Sequence, residues 1–394
     1  MGSPAPPIAY LDHAATSPMR REVAEAMAPF GFHRFGNASG SHSAARDARR
    51  ALEDAREEIA ALLGAQPAEV VFTGGGTESD NLAVLGVLGL CERDHPVVVC
   101  SAVEHAAVLA PARAAAGGRG RVVGLGTAEL RVVPVDAAGA IDLAALEGSL
   151  GGDVALVSVM LANNEVGTVQ PLEAVARIVR ERAPGAVLHT DAVQAAPFLD
   201  VAAAAAGANL ITISAHKLGG PKGVGVLVVR EGTPLRPLIF GGGQERERRS
   251  GTHDVAGAVG LAAALRQAAA QRAGEAARVG ALRDRLVDGL RSAIPGTLES
   301  APRARVLPGH AHLRFAGIEQ EELLVLLDDA GVCASAGSAC ASGAIEPSHV
   351  LLAMGATRAD ARSAIRFTLG HTTTERDVDQ ALAAAPPAVE RLRR

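Results

Sequence analysis

Lysine and aromatic residues are scarce in this chain of 394 residues. It contains eight phenylalanines, one tyrosine and no tryptophan, so its core must be built from alanine, valine and leucine. Only two of the 38 basic residues are lysines, and both lie in one short segment, SAHKLGGPKG, as Lys217 and Lys222. Arginine can replace lysine as a surface cation, but its guanidinium stays protonated and cannot act as an amine nucleophile. The pattern indicates a chemical role for this segment, with compositional chance as the competing interpretation.

Several classes of protein are disfavoured by features that the sequence lacks. No apolar run reaches the roughly 18 residues that a membrane span needs. The N-terminal MGSPAPP has no basic region followed by an apolar one, so no secretory signal is predicted. A net charge of −5 gives no electrostatic reason to expect binding to nucleic acid. With 48% hydrophobic and 21% charged residues, we expect a large core and a soluble cytoplasmic protein.

The four cysteines form no CxxC pair, and without an export signal a disulfide framework is not expected. Cys91 and Cys100 bracket an apolar run and are predicted to be buried small hydrophobes. Cys340 instead lies in SAGSACASGAIEPS, whose glycines and small polar residues predict a mobile loop. Neither GGGTES nor GGPKGVG has the spacing of a dinucleotide fingerprint or the residues of a P-loop, so neither site is predicted.

Short apolar runs alternate with helical stretches from Pro18 to about Arg230. This alternation is typical of an α/β domain with a mostly parallel central sheet flanked by helices. The strand candidates are Val70–Thr73, Val97–Ser101, Val154–Met160, Ala186–Thr190, Leu210–Ser214 and Val224–Val229. The helix candidates include Pro171–Arg182, Asp142–Leu150 with Asp142 as its cap, and a first helix with Ser17 as its cap and Pro18 in its first turn.

After Gly251 the pattern changes to that of a smaller α+β domain. Its predicted elements are helices at Val255–Ala273, Glu275–Ala293, Gln320–Ala330 and after Thr374, and strands near His312–Ala316 and Ile365–Leu369. We therefore predict a large α/β domain over residues 16–262. The smaller domain would comprise residues 263–394 with the N-terminal segment 1–15, and it would carry the loop of Cys340.

Polar residues directly follow five of the predicted strands. The carboxyl ends of the strands in an open parallel sheet form its ligand crevice, so these side chains should converge although they are far apart in the chain. They are Thr77, His105, Asn164, Asp191, Gln194, His216 and Lys217. The three glycines 74–76, placed before a predicted helix, indicate an anion site suited to phosphate, although such glycines are often only a turn.

Lys217 lies beside this crevice and could form a Schiff base with an aldehyde if it were partly desolvated. A phosphate site, a Schiff-base lysine and an acidic partner for a pyridinium nitrogen together describe a pyridoxal phosphate site. Asp191 is the natural acid, since a carboxylate there could keep the ring nitrogen protonated; a helix cap is its competing interpretation. His105 could stack on the ring or move a proton, but an isolated histidine is more often structural.

These segments resemble those of a known family. The matching motifs are LDHAATSP, FTGGGTESDNLA, EHAAVL, ANNEVGTVQP, HTDAVQ, SAHKLGGPKGVG, GGGQERERRSGT, GSACASGAIEPSHVL and IRFTLGHTT. In this order, from Tyr10 to about Val378, they resemble group I (NifS/IscS-like) cysteine desulfurases, of the class V aminotransferase branch of pyridoxal phosphate enzymes. The resemblance implies the type I fold of PLP-dependent transferases.

The resemblance also implies roles around the cofactor. Lys217 matches the lysine that bonds to pyridoxal phosphate, and His105 matches the stacking and acid–base histidine. Asp191 and Gln194 match the residues that contact the ring nitrogen and the ring hydroxyl. The phosphate-side ligands match Gly76, Thr77, Ser214 and His216, with Asn164 also assigned to the cofactor. Thr252 matches a phosphate contact made to the neighbouring subunit, which implies a homodimer.

For the substrate, Asn164 and Arg366 match the residues that hold the carboxylate of L-cysteine, and Asn37 matches a residue at the entrance. Cys340 matches the nucleophile that takes the sulfur as a persulfide while L-alanine leaves. The implied acceptors are an iron–sulfur scaffold or a tRNA-thiolation enzyme. No resident metal is implied, although Cys340 could be a transient iron–sulfur ligand with a scaffold partner.

Three departures from the family pattern leave every reacting group in place. FGNASGSH is one residue shorter after Asn37, Ala215 replaces a frequent glycine, and Gly76 replaces a frequent alanine. The nearest alternative is a selenocysteine lyase or class V aminotransferase on the same scaffold, and Cys340 favours the desulfurase because an aminotransferase has no use for a thiol on a mobile loop. A metal or iron–sulfur scaffold is disfavoured because Cys333 and Cys340 have no usual ligand spacing.

Overall fold

The computed structural model describes residues 8–117, 128–337 and 347–394, so the predicted loop around Cys340 lies outside the described residues. The strands are β1 Ala9–Tyr10, β2 Val70–Thr73, β3 Val97–Ser101, β4 Glu129–Val133, β5 Val154–Ser158, β6 Val187–Asp191, β7 Leu210–Ser214, β8 Gly225–Val229, β9 Thr297–Glu299, β10 His310–Phe315, β11 Val332–Cys333 and β12 Ala364–Thr368.

The helices are α1 Arg21–Met27, α2 Pro29–Phe32, α3 Ser43–Leu62, α4 Gly76–Leu88, α5 Ala106–Ala115, α6 Leu143–Gly148, α7 Leu172–Arg182, α8 Val201–Ala204, α9 Val255–Ala293, α10 Gln320–Asp329, α11 His349–Ala353, α12 Arg358–Arg362 and α13 Glu375–Leu392. None of them combines the length and the apolar character that crossing a bilayer requires, within the described ranges. The cytoplasmic location stays a prediction.

The main sheet positions the candidate site. Its seven described strands have the order β2-β8-β7-β6-β5-β3-β4. Strands β4, β3, β5, β6 and β7 pair in parallel, while β8 runs antiparallel to β7 and β2. Strands β3, β5, β6, β7 and β8 are buried along their whole length, as expected where helices cover both faces. The predicted α/β fold with a mostly parallel sheet is confirmed.

One strand of this sheet was not predicted. β4 lies at the sheet edge, and Glu129 and Arg131 interrupt its apolar residues. Only Val133 of β4 is buried, so the sequence of this strand does not show the continuous apolar run by which the buried strands were recognised. Of the two cysteines predicted to be buried, Cys100 is fully buried and Cys91 is half-buried.

The C-terminal region contains an antiparallel sheet with the order β12-β10-β9 and a short parallel pair, β1 with β11. The two helices predicted over residues 255–293 are wrong, because α9 is one continuous helix of 39 residues. Its first half packs in the core of the main sheet, and its second half, from Val279, packs in the core that contains Leu11, Phe315 and Phe367. The predicted boundary at residue 262 therefore falls inside a helix that is shared by both cores.

The predicted start of the first helix is also wrong. α1 begins at Arg21, with Arg20 and not Ser17 at its N-cap position. The backbone N–H of Ser17 donates to the carbonyl of His216, and its hydroxyl lies 3.0 Å from Nδ1 of His13. These tertiary contacts hold Ser17 in the preceding segment, which becomes part of the candidate site.

Candidate active site

A cavity of about 380 Å³ opens at the carboxyl ends of the main-sheet strands. Its lining residues are Ala14, Ala15, Gly76, Thr77, Asp80, His105, Met160, Asn164, Asp191, Val193, Gln194, Ser214, His216, Lys217, Gly337 and Arg366. The seven residues expected to converge after the strands are all present, as are Gly76, Ser214 and Arg366. The convergence follows from topology: Asp191 ends β6, Ser214 ends β7, and Lys217 follows β7 by one turn.

Asn37 and Thr252 do not line this cavity in the single chain; both are exposed. Asn37 lies between α2 and α3, and Thr252 lies just before α9. Cys340 lies outside the described residues, so its position relative to the cavity stays a prediction.

The glycine segment brings a helix terminus to the cavity. Gly75 has a φ of 137°, a conformation that favours glycine, and it occupies the N-cap position of α4. The backbone of β8 also passes close by, since a methyl group on Gly225 would lie 2.7 Å from the carbonyl carbon of Gly75. The first N–H groups of a helix have no intrahelical acceptor, so the start of α4 at Gly76 and Thr77 can bind an anion.

Lys217 is held by the N-terminal segment. Its Nζ donates hydrogen bonds to the carbonyl oxygens of Ala14 and Ala15, the second at 2.8 Å. Gln194 also donates from Nε2 to the carbonyl of Ala14, at 2.8 Å. The segment LDHAATS therefore positions two of the predicted cofactor residues through backbone oxygens.

His105 occupies the N-cap position of α5, where its Nδ1 accepts a hydrogen bond from the N–H of Ala107 at 3.1 Å. Burial lowers the pKa of His105. The charge of Asp191, and to a smaller extent that of Glu165, opposes this shift, while the charges of Lys217 and His349 add to it. His105 is therefore neutral near neutral pH. Because Nδ1 accepts the cap bond, the neutral ring carries its proton on Nε2.

Asp191 lies at the end of β6 with only 7% of its surface exposed, and its Oδ1 accepts a hydrogen bond from the N–H of Val193 at 2.9 Å. Burial raises the pKa of Asp191, while the charges of His105 and Lys217 oppose this shift. A cationic ring nitrogen brought against Asp191 would favour its charged form.

Two more buried carboxyl groups lie near Asp191 and were not predicted as site residues. Asp80 lines the cavity, and its Oδ1 lies 3.5 Å from Nε2 of His189. Glu104 accepts a hydrogen bond at Oε1 from the N–H of Met160, at 2.7 Å. Burial raises the pKa of both carboxyls well above the usual range. Both residues lie inside recognised motifs, TESDN and EHAAV, and this is the only signal by which they could have been found.

His216 lines the cavity and contacts the N-terminal segment. Its Nδ1 lies 3.2 Å from the hydroxyl of Thr16. Burial lowers the pKa of His216 to about 4, with Lys217 and Lys222 acting in the same direction. A neutral imidazole can take part in binding phosphate only as a hydrogen-bond donor or acceptor.

Arg366 lies opposite, on β12, with its side chain 3% exposed. One guanidinium nitrogen, Nη2, lies 2.9 Å from Oδ1 of Asp12, and the other, Nη1, donates to the carbonyl of Asn164 at 3.1 Å. These two contacts fix the plane of the guanidinium at the cavity. The sequence analysis had not singled out Asp12, because its partner lies 354 residues away.

Comparison with known proteins gives one consistent result. The family model described as "Aminotransferase class-V" matches residues 9–381. An "IscS-like cysteine desulfurase" of Mycobacterium tuberculosis is 46% identical over 98% of both chains. A "Cysteine desulfurase NifS" of Azotobacter vinelandii is 40% identical, over 98% of this chain and 93% of that protein. A solved structure titled "NIFS-LIKE PROTEIN" superposes with a TM-score of 0.89 at 36% identity, covering 98% of this chain and 99% of that one.

Proposed function

Since the chain belongs to the class-V aminotransferase family, and within it to the IscS/NifS-like cysteine desulfurases, we propose that it is a cysteine desulfurase that depends on pyridoxal phosphate. The thiolate of Cys340 attacks the sulfur of L-cysteine, and a sulfur–sulfur bond forms as the carbon–sulfur bond breaks. The electron pair of the broken bond stays on the β-carbon, which takes a proton and becomes the methyl group of L-alanine. The products are L-alanine and the persulfide of Cys340. The observation that carries this proposal is the convergence of Lys217, His105 and Asp191 on one cavity that begins at a helix terminus.

The residues of the cavity fit pyridoxal phosphate. The start of α4, with Ser214 and the neutral His216, would hold the phosphate. A buried carboxylate suits a ring nitrogen that carries a proton, and Asp191 supplies it. Gln194 would contact the ring hydroxyl, and His105 would lie against the ring. Pyridoxal phosphate, when bound, supplies an aldehyde that bonds to an amine and a ring that stabilises negative charge on the carbon next to that amine.

Lys217 is the group that moves the α-proton of the substrate, and it takes that proton at Nζ. The carbonyls of Ala14 and Ala15 already accept hydrogen bonds from this atom. Carbonyl oxygens bind an ammonium better than a neutral amine, so these two groups hold Lys217 once it is protonated.

His105 enters the reaction as a neutral imidazole whose available proton is on Nε2. It can donate that proton to a group in the cavity without losing the cap bond that Nδ1 makes with Ala107. A role as base toward Cys340, at Nδ1, would require this bond to break. A thiol with its ordinary pKa near 8.5 is mostly protonated at neutral pH, so Cys340 must lose its proton before it attacks.

Arg366 and Asn164 hold the substrate carboxylate in this proposal. The planar guanidinium can bind both carboxylate oxygens, and it is already oriented by Asp12 and by the carbonyl of Asn164. We assign Asn37 to the entrance, on the resemblance alone.

We further propose a homodimer in which Thr252 completes the phosphate site of the partner subunit. Thr252 is exposed in the single chain, and nearby in the sequence Leu238, Ile239 and Phe240 are also exposed, by 37%, 42% and 70%. A run of exposed apolar residues is typical of a protein interface. The persulfide would pass to an iron–sulfur scaffold or to a tRNA-thiolation enzyme.

The function is tested by the variant Cys340→Ser under single turnover. Purified protein with bound cofactor should release L-alanine from L-cysteine and gain one sulfur atom per chain by mass spectrometry. Cys340→Ser should keep the cofactor absorption and lose the added sulfur, while the matched variant Cys333→Ser should keep both. Full turnover by Cys340→Ser would remove Cys340 from the mechanism, and wild-type protein that forms no persulfide would contradict the proposed function.

A further inference from the structure

One buried carboxylate contacts both described ends of the segment that carries Cys340. Glu165 directly follows Asn164 in the chain and is 3% exposed. The hydroxyl of Ser348 donates to Oε2 of Glu165 at 2.5 Å. Gly337 packs against the same oxygen, since a methyl group at position 337 would lie 2.6 Å from it. Residue 337 is the last described before residues 338–346, and Ser348 is the second described after them.

The backbone that presents Glu165 is fixed by its own turn. The side-chain oxygen of Asn163 accepts hydrogen bonds from the N–H groups of Glu165 and Val166, each at 2.9 Å. The amide nitrogen of Asn163 donates to the carbonyl of Val103 at 3.0 Å. Asn163 is fully buried, so this turn is a rigid support that places Asn164 in the cavity and the carboxylate of Glu165 beside Gly337.

Each end of the Cys340 segment has a second attachment to the walls of the cavity. On the N-terminal side, Ser335 exchanges two backbone hydrogen bonds with Arg366, at 3.1 and 2.7 Å. On the C-terminal side, Ser348 caps α11, whose Val350 packs in one cluster with Val166. The carboxylate of Glu165 is the described side chain that joins these two attachments.

A buried carboxylate at this position would reduce the stability of the fold if no hydrogen bond compensated for its burial. Burying a charged group is unfavourable unless hydrogen bonds compensate for the lost water. Ser348 supplies one such bond, and Gly337 leaves no room for a side chain between the carboxylate and the backbone. The charge of Glu165 also acts to raise the pKa of His105.

We propose that Glu165 is a positioning residue for sulfur transfer: its carboxylate holds Gly337 and Ser348 together against the cavity and so places the segment of Cys340 for attack on the substrate sulfur. This inference rests on the proposed function. It assigns Glu165 to the sulfur-transfer step, and leaves the α-proton step to Lys217.

The test separates the two steps. Exchange of the α-hydrogen of L-alanine with D₂O, followed by NMR, needs Lys217 and the cofactor but not Cys340. Persulfide formed from L-cysteine in a single turnover needs Cys340. We expect Glu165→Ala to keep the exchange rate and to slow persulfide formation by about 10- to 100-fold, since small misplacements of reacting groups have effects of this size. Glu165→Gln keeps an acceptor for Ser348 and should recover part of the rate.

Gly337→Ala provides an independent variant, because its methyl group would push the carboxylate away; persulfide formation should slow by a similar factor. Glu173→Ala, at an exposed glutamate of α7, is the control and should change neither rate. Equal loss of both rates in the Glu165 variants, or no loss of persulfide formation in Glu165→Ala and Gly337→Ala, would overturn the proposal. If Glu165→Ala does not fold, Glu165→Gln and Gly337→Ala decide by the same criterion. If the wild type forms persulfide but the variants contradict these expectations, the proposed function stands and only the role of Glu165 is rejected.

Discussion

The two sides of the cavity are built in different ways. The proposed cofactor wall, comprising Gly76, His105, Asp191 and Lys217, consists of residues that lie at the ends of main-sheet strands or within a few residues after them. The proposed substrate wall, comprising Asp12, Asn164 and Arg366, depends on an ion pair between residues 354 positions apart and on a carbonyl contact across 202 positions. Sheet topology brings the residues of the first wall together, and the N-terminal segment then holds Lys217 in place. The second wall depends throughout on separate parts of the chain packing correctly.

The comparison predicts that the largest loss of activity follows from removing one reacting group of the cofactor wall. Lys217→Ala deletes the amine that we propose bonds to the cofactor and moves the α-proton, so turnover should fall by more than about 100-fold. The absorption of the covalently bound cofactor should disappear from the visible spectrum. Borohydride reduction, which traps such a bond, should label the wild-type chain and leave the variant unlabelled.

The chain offers a matched control for this prediction. Lys222 is the only other lysine, and it is exposed. Lys222→Ala should keep both the absorption and the label. If the label is lost in Lys222→Ala, or is kept in Lys217→Ala, the lysine that bonds to the cofactor has been assigned wrongly.

The different construction of the two walls also explains what the sequence could predict. Buried parallel strands have recognisable apolar runs, so the residues after β2, β3, β5, β6 and β7 could be placed at one edge of the sheet. Asp12 could not be placed in this way, because nothing in the local pattern of LDHAATS indicates a partner on β12. Arg366 was found through the resemblance, and its ion pair became visible only in the structure.

The same reasoning applies to the predictions that were wrong. Ser17 and Pro18 have the local pattern of a helix start, but contacts of Ser17 with His13 and His216 outweigh it. Two helices, Val255–Ala273 and Glu275–Ala293, were predicted where α9 lies, yet packing against two cores keeps the helix continuous. In both places tertiary contacts, which local patterns do not encode, decide the structure.

A substitution in the substrate wall should have a smaller effect, confined to substrate binding. Asp12→Asn keeps the shape of the side chain and removes the charge that orients Arg366. We expect KM for L-cysteine to rise by about 10-fold with little change in kcat, because a bound carboxylate would still find Arg366 but in a less fixed orientation. Steady-state kinetics of L-alanine release would measure both constants.

Cysteamine, which lacks the carboxylate, provides the control for this prediction. Its binding to the wild type and to Asp12→Asn should be equal, measured by the shift in cofactor absorption during titration. If cysteamine and L-cysteine are weakened to the same extent, Asp12 supports the general structure of the cavity and has no specific effect on Arg366.

The smallest expected effect is on the free energy of unfolding, and it comes from a histidine close to the substrate wall. His310 lies on β10, and burial, together with the charges of Arg366, His312, Arg283 and Lys217, lowers its pKa from 6.5 to about 3. Neither of its ring nitrogens has a hydrogen-bond partner among the described residues. The folded protein thus keeps His310 neutral, whereas the unfolded chain binds a proton below pH 6.5, so the free energy of unfolding decreases as the pH falls from 6.5 toward 3.

Between pH 7 and pH 5 this linkage should lower the free energy of unfolding by about 2 kcal/mol for His310, since each pH unit below 6.5 contributes about 1.4 kcal/mol. His310→Gln does not titrate in this range, so its urea-unfolding free energy should fall by about 2 kcal/mol less than that of the wild type. His33→Gln, at an exposed position, should leave the pH dependence unchanged. If His310→Gln and wild type lose the same free energy, the folded protein protonates His310 as readily as the unfolded chain does, and Arg366 must then tolerate a second positive charge nearby at low pH.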